Sequence, residues 1–236
     1  MRAMILAAGR GERMRPLTDA CPKPLLKAGG KPLIVWHIER IVTAGIRDIV
    51  INTAWLGHMI EDALGDGSTW GARLHYSHET IALETAGGIA HARHLLGDAP
   101  FLLMNGDVFT DWDPRAAHAA AHALNASDAD MWLLLVDNPA HHPQGDFSLD
   151  AAGRVHDGEA NALTYAGIAI YHPRMFDGLD PNAAAAMAPL MRREIAAGRA
   201  IGEHYQGQWA DIGTVERLAT LDASLKRLGH FKQSML

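Results

Sequence analysis

Short apolar runs alternate with helical stripes through the first half of the chain. Ala3 to Ala8 reads as a buried opening strand. Lys31 to Ala44 sets Ile34, Ile38, Ile41 and Val42 on one helical face, and Gly45 stands where a left-handed residue would close that helix. Asp48 to Thr53 is a second strand, Leu56 to Leu64 a short helix, Arg73 to Ser77 a third strand, and Gly88 to Leu96 a helix ended by Gly97. Phe101 to Asn105 is again a buried strand, and it stops at Gly106-Asp107. Strands and helices in alternation predict a parallel sheet flanked by helices, whose ligands bind beyond the carboxyl ends of the strands.

The pattern changes after the alanine-rich helix Arg115 to Leu124. Strand-like segments follow at Met131 to Val136, Phe147 to Leu149, Arg154 to His156 and Leu163 to Tyr171. They read as the other half of the sheet with a small antiparallel excursion. Residues 137 to 146 are rich in turn formers and predict a loop at the same rim. Helices are expected from Pro189 to Gly198 and from Thr214 to Leu228. The fold class is therefore α/β: a three-layer, Rossmann-like single domain over residues 1–236, with a mixed, mainly parallel sheet.

Composition narrows the function classes. The chain has 236 residues, 48% hydrophobic and 20% charged, enough for one sizeable core. A formal charge of -6 offers no basic footprint for nucleic acid or for an anionic membrane. The apolar start runs at once into Gly9-Arg10-Gly11, too soon for a signal peptide, and no window approaches the ~20 apolar residues of a membrane span. Cys21 is the lone cysteine, so no intramolecular disulfide can form, and it reads as a small filler. A cytoplasmic protein, monomeric or a small homo-oligomer, is expected.

Candidate chemistry is densest directly after the first strand, in Leu6-Ala-Ala-Gly-Arg-Gly-Glu-Arg-Met-Arg-Pro-Leu-Thr18, followed by Pro22-Lys23-Pro24. Gly9 and Gly11 let backbone N–H groups converge on phosphate oxygens. Arg13 can clamp two oxygens with its planar guanidinium, and Lys23, stiffened between prolines, can reach across as a point charge. Alone, Gly-x-Gly also fits a tight turn with a solvated arginine face. Met14 stands where a dinucleotide fingerprint needs glycine, and the segment lacks the Gly-Lys-Ser/Thr ending of a P-loop. His118 and His122 share a helical face, but with alanine around them they read as solvated rather than zinc-binding. His141-His142 reads as a surface pair in a loop that could contact substrate.

The opening motif, Asn105-Gly106-Asp107 at a strand end, and Trp209-Ala-Asp211-Ile-Gly-Thr214 occur in an order that resembles the sugar-1-phosphate nucleotidyltransferases, a GT-A-like family. The likeness spans nearly the whole chain. It implies a Mg²⁺-dependent enzyme that joins a nucleoside triphosphate, with UTP favoured, to a sugar 1-phosphate and releases pyrophosphate. The nucleotide half would be about residues 1–112 and the acceptor half about 113–236. Joining two polyanions needs charge neutralisation, and Mg²⁺ prefers one or two carboxylates plus phosphate and water. Asp107 and Asp211 are the implied metal ligands, although capping and turn roles suit both as well.

By the same resemblance Leu6, Ala7, Ala8, Gly9, Gly11 and Arg13 hold the nucleotide, and Lys23 stabilises charge on the reacting phosphates. Leu83, Glu84, Thr85, Gly87 and Gly88 match the base-recognition loop, with Asn105 touching nucleotide or acceptor. Arg13, Lys23, Asp107 and Asp211 form the implied catalytic set. Gly145, Asp146, Glu159, Thr164 and Gly167, with Asn105 and Asp107, fall where acceptor contacts are expected. One departure stands out: many relatives carry a second lysine for the sugar phosphate, whereas no lysine occurs here between Lys31 and Lys226. Its role must pass to an arginine, the metal or the backbone. Pro139-Ala-His-His, Gly145-Asp-Phe and the Gly202-Glu-His-Tyr ending are most similar to a uridylyltransferase branch that serves cell-wall sugar recycling. A guanylyltransferase for mannose or a related hexose or heptose, and a silent nucleotide-sugar-binding subunit, remain the rivals.

Overall fold

The computed structural model describes residues 1–158 and 161–233. Its centre is a seven-stranded sheet built from β1 (Ala3–Leu6), β2 (Asp48–Thr53), β3 (Arg73–His78), β4 (Phe101–Asn105), β6 (Met131–Val136), β7 (Thr164–Tyr171) and β8 (Ala200–Tyr205). The order across the sheet is β8-β6-β7-β4-β1-β2-β3, and only β7 runs antiparallel to its neighbours. A separate two-stranded ribbon pairs β5 (Val108–Thr110) with β9 (Trp209–Asp211). The expected antiparallel excursion is a ribbon of Ser148–Leu149 with Val155–His156.

Strand alternation explains the layers. Ala3, Ile5, Ile49, Ile51, Leu102 and Met104 point to one face, while Met4, Val50, Phe101 and Leu103 point to the other, and all are buried. Both faces must then be covered, as parallel sheets require. Helices α1 (Leu33–Thr43), α2 (Gly57–Leu64) and α4 (Ala116–Asn125) cover the first face. Helices α3 (Glu84–His91) and α5 (Met187–Ala196) cover the second. Removing a side chain such as Ile5 or Leu103 from water contributes about 1.5–3 kcal/mol. A third, smaller core lies under the ribbon, where Met14, Leu33 and Ile212 meet Leu218 and Leu221 of α6 (Val215–Gln233).

Gly45 closes α1 as expected: at φ 85° it turns the chain so that the Ile46 N–H reaches the Ile41 carbonyl at 3.2 Å. Two elements differ from the sequence reading. The helix expected at Gly88 starts four residues earlier, at Glu84, and breaks into a separate turn, Arg93–Leu96. Strand β8 was not expected, because its residues Gly202, Glu203 and His204 give no apolar alternation; it is held as an edge by in-register pairing with β6. Among the described residues no helix is long and apolar enough to cross a membrane.

Connectivity positions the site. The chain moves outward through β1, β2 and β3, then returns to place β4 on the other side of β1. That reversal opens a crevice at the carboxyl ends of β1 and β4, the usual ligand position in such sheets. Gly106 N–H donates to the Leu6 carbonyl at 2.9 Å, and a Cβ on Gly106 would lie 2.5 Å from that oxygen, so only glycine lets the two strand ends meet here.

Candidate active site

The crevice is a cavity of about 640 Å³ whose lining, among the described residues, falls within residues 6–107. Leu6, Ala7, Ala8, Gly9, Lys23, Leu83, Glu84, Thr85 and Asn105 all line it, as does Asp107. Nothing lies within 4 Å of the point where a Cβ on Gly9 would sit, which leaves backbone open to a ligand. A buried polar chain pins its floor. Ala7 N–H donates to Asn52 Oδ1 at 2.9 Å, Asn52 Nδ2 donates to Glu79 Oε1 at 2.7 Å, and Leu83 N–H donates to Glu79 Oε2 at 3.2 Å. The loops after β1 and β3 are thereby fixed to β2 between them, and the buried Glu79 carboxylate has partners for both oxygens.

The structure uses some expected residues differently. Gly11 and Arg13 do not line this cavity: Gly11 turns the chain at φ 67°, with its carbonyl accepting from Thr18 at 2.8 Å, and carries Arg13 toward a neighbouring cavity. Gly87 and Gly88 do not line it either. The Gly87 N–H donates to Ala185 at 3.1 Å, and a Cβ there would meet the Ala183 carbonyl at 2.6 Å. A Cβ on Gly88 would meet Glu79 Oε1, also at 2.6 Å. These two glycines let α3 pack closely against residues 183–185 and Glu79. Trp55, on which the sequence is silent, lines the crevice with the Arg10 guanidinium 3.9 Å from its ring centroid.

A second cavity, about 430 Å³, shares Asn105 and Asp107 with the first and adds Arg13, His141, His142, Thr164, Gly167, Trp209 and Asp211. The β5–β9 ribbon creates it by placing Asp211 opposite Val108. Ile212 N–H then donates to the Asp107 carbonyl at 2.8 Å, so the two aspartates come from adjoining backbone. Trp209 Nε1 donates to Ala166 at 2.8 Å and ties the ribbon to β7. On the other side Arg40 Nη2 donates to the Trp112 carbonyl at 2.7 Å.

Each aspartate has a cation of the chain on it. Lys23 Nζ, mostly buried, donates to Asp107 Oδ2 at 2.6 Å, and Arg217 Nη1 donates to Asp211 Oδ2, also at 2.6 Å. Arg217 Nη1 also donates to His141 Nε2 at 2.9 Å. His141 and His142 stay solvent-accessible, as expected of a surface pair, and both line the cavity, with His142 Nε2 3.1 Å from Asp146 Oδ1. Beneath the site His37 is fully buried, and burial, with the nearby Arg40 charge, pushes its imidazole down to about 4, so it is neutral. Burial raises the Cys21 thiol, in keeping with a filler.

The donors suit a hard divalent cation. Two carboxylates face one cavity, and no group of three or more His, Cys, Asp or Glu able to hold a metal occurs among the described residues. That is the donor set Mg²⁺ takes when phosphate and water complete its shell, and it is too sparse for zinc.

The expected acceptor residues divide. Thr164 and Gly167 line the cavity with the aspartates, whereas Gly145 and Asp146 line a third, polar cavity of about 820 Å³ beside Asn138 and Arg192. Asp146 Oδ2 accepts the Tyr165 N–H at 2.8 Å, so this carboxylate also shapes the loop. Glu159 lies outside the described residues. Asn52, Glu79, Trp55 and Arg217 escaped the sequence reading. Only Asn52 left a trace there, as a polar residue inside an otherwise apolar strand.

A switch-point crevice that shares Asn105 and Asp107 with a second cavity is the layout of a two-substrate transferase. Residues 2–227 match the nucleotidyl transferase family, and the chain belongs to it. It is 54% identical to a Neisseria meningitidis protein named N-acetylmuramate alpha-1-phosphate uridylyltransferase, over 94% of this chain and 97% of that one. A Caulobacter vibrioides protein of the same name is 35% identical over 94% and 96%. A mannose-1-phosphate guanyltransferase of Yarrowia lipolytica is 31% identical, but the match covers 61% of that protein against 90% of this chain. Among solved structures, a sucrose-bound Bacillus anthracis chain, provisionally named a glucose-1-phosphate thymidylyltransferase, superposes with a TM-score of 0.83 at 21% identity, covering 96% of this chain and 95% of its own. That likeness bears on the fold alone.

Proposed function

We propose that this nucleotidyltransferase joins UTP to N-acetylmuramic acid 1-phosphate, giving the UDP-sugar and pyrophosphate. The observation that carries the reading is the junction at Asn105 and Asp107, which are shared by a cavity lined, among the described residues, by residues 6–107 and by one that also draws on residues 141 to 211. Nucleotide in the first and sugar phosphate in the second would meet at Asp107. The choice of sugar rests on the 54% identical relative, which matches over almost the full length of both chains. UTP is an intracellular substrate, so a cytoplasmic site of action goes with the reading.

An oxygen of the sugar phosphate attacks the α-phosphorus in line, a new P–O bond forms, and the bond to pyrophosphate breaks. No side chain needs to become a covalent intermediate. Asp107 and Asp211 would hold Mg²⁺, which neutralises phosphate charge and orients the reacting oxygens. Lys23, fixed against Asp107, offers its ammonium to the α- and β-phosphates, where charge rises in the transition state. The opened backbone at Gly9 receives the phosphates, and Arg13, on the wall of the second cavity, faces pyrophosphate or acceptor. Asn105, packed against Gly167, orients the acceptor at the junction.

A matrix of nucleoside triphosphates against sugar 1-phosphates, read by pyrophosphate release with Mg²⁺, tests the proposal. The highest kcat/KM is expected for UTP with N-acetylmuramic acid 1-phosphate. A clear preference for GTP and mannose 1-phosphate would overturn it, and absence of turnover with every pair would favour a silent binding subunit.

A further inference from the structure

With no lysine between Lys31 and Lys226, the acceptor's phosphate must meet another cation. The fold brings one beside the second cavity, behind two of the residues that line it. Arg217 stands in the first turn of α6, its N–H donating to Thr214 Oγ1 at 3.3 Å. Its guanidinium touches Asp211 and His141, both of which line the cavity with Thr164 and Gly167, and neither of which lines the nucleotide crevice. Arg217 Nη2 and Arg13 Nη2 lie 3.0 and 3.1 Å from the point a Cβ on Gly213 would occupy, so the two guanidiniums are at most about 6 Å apart.

Two like charges at that separation call for anions between them. Asp211 supplies one, through Arg217, while Arg13 has no hydrogen-bond or acidic partner among the described residues. If Asp211 turns to a divalent cation, the Arg217 fork is left with His141 alone. A dianionic phosphate meets that need better than a sugar hydroxyl does, because planar guanidinium groups pair with its oxygens two at a time.

We propose that Arg217, steadied by His141 and facing Arg13, binds the phosphate of the sugar 1-phosphate in place of the absent lysine. This rests on the nucleotidyl-transfer reading above and names a residue for its acceptor side. Arg217 is a binding residue, and His141 is a positioning residue that sets the direction of its fork.

The test uses the full chain and the sugar 1-phosphate that the unaltered enzyme uses best. Arg217→Gln is expected to raise the acceptor KM tenfold or more with the UTP KM within twofold. Calorimetric binding of the sugar 1-phosphate, measured with Mg²⁺ and a non-hydrolysable UTP analogue, should weaken in parallel. Arg217→Lys should restore part of that affinity, which also guards against loss of fold in the first variant. His141→Gln should raise the acceptor KM by a smaller factor. An acceptor KM unchanged in Arg217→Gln, an equal rise in the UTP KM, or a change confined to the Mg²⁺ concentration for half-activation would overturn the assignment. An unaltered enzyme that uses no sugar 1-phosphate would instead overturn the reading on which it stands.

Discussion

The amide of Ile212 donates to the carbonyl oxygen of Asp107 at 2.8 Å, so the residue after Asp211 is tied directly to the other aspartate. Backbone pairing between two short strands, rather than side-chain reach, brings the carboxylates to one cavity. Asp107→Asn and Asp211→Asn keep the shape and remove the charge. Each is expected to lower kcat by about a thousandfold, about 4 kcal/mol of lost transition-state stabilisation. Circular dichroism should stay that of the unaltered protein, while the melting temperature of Asp107→Asn falls because buried Lys23 loses its anionic partner. Chelation with EDTA should stop turnover and added Mg²⁺ should restore it. Persistent activity in either variant would remove that aspartate from the metal site.

Lys23 tests the other half of the arrangement. Its ammonium is mostly buried and 2.6 Å from Asp107, so Lys23→Met leaves a carboxylate short of its partner. Urea unfolding should show a loss of about 1–3 kcal/mol, the usual cost of removing a hydrogen bond to a charged group. Activity at saturating substrate should fall by about a hundredfold, because the same ammonium serves the phosphates. A variant that loses stability yet keeps its kcat would confine Lys23 to structure.

Gly167 bulges out of β7 at φ 69°, and a Cβ there would lie 2.6 Å from Asn105 Nδ2. Gly167→Ala is therefore doubly unfavourable, through backbone strain and displacement of Asn105. It should cost about 1–3 kcal/mol in a thermal or urea melt. The accompanying loss should fall on the acceptor's kcat/KM more than on that of the nucleotide. Equal losses for the two substrates would place Asn105 on the nucleotide side.

His37 predicts a pH dependence of stability. Its folded-state value, lowered to about 4 chiefly by burial, lies below its ordinary 6.5. The unfolded chain therefore binds the proton first as pH falls. The contribution is complete above about 6.5 and is lost progressively down to about 4. Between pH 7 and 5 it amounts to about 2 kcal/mol, from about 1.5 units at about 1.4 kcal/mol each. Urea melts at the two pH values should show a steeper loss for the unaltered protein than for His37→Asn. Parallel losses would contradict it.

Much of this molecule could be read from local pattern. The strands at Asp48–Thr53, Phe101–Asn105 and Met131–Val136 fall where their apolar runs predict them, because a segment buried on both faces must be continuously apolar. Gly45 marked the end of its helix for an equally local reason. The three motifs, in order, marked the family. At Gly87 and Gly88 glycine signals that something approaches closely, and only the packed structure shows that the neighbours are residues 183–185 and Glu79, the latter itself on the crevice wall.

By itself, then, the sequence determined the α/β class, the order of most elements, the rim on which a ligand would bind and the aspartates worth testing. Periodicity and residue chemistry act over a few neighbouring positions, and that range suffices for those conclusions. Tertiary structure alone decided that residues 108–110 pair with 209–211, that Glu79 and Asn52 lock two loops to β2, and that Arg217 and His141 meet at Asp211. Short edge pairings and single long side chains leave no periodic trace, because their partners are distant in the chain and are chosen only when the layers close.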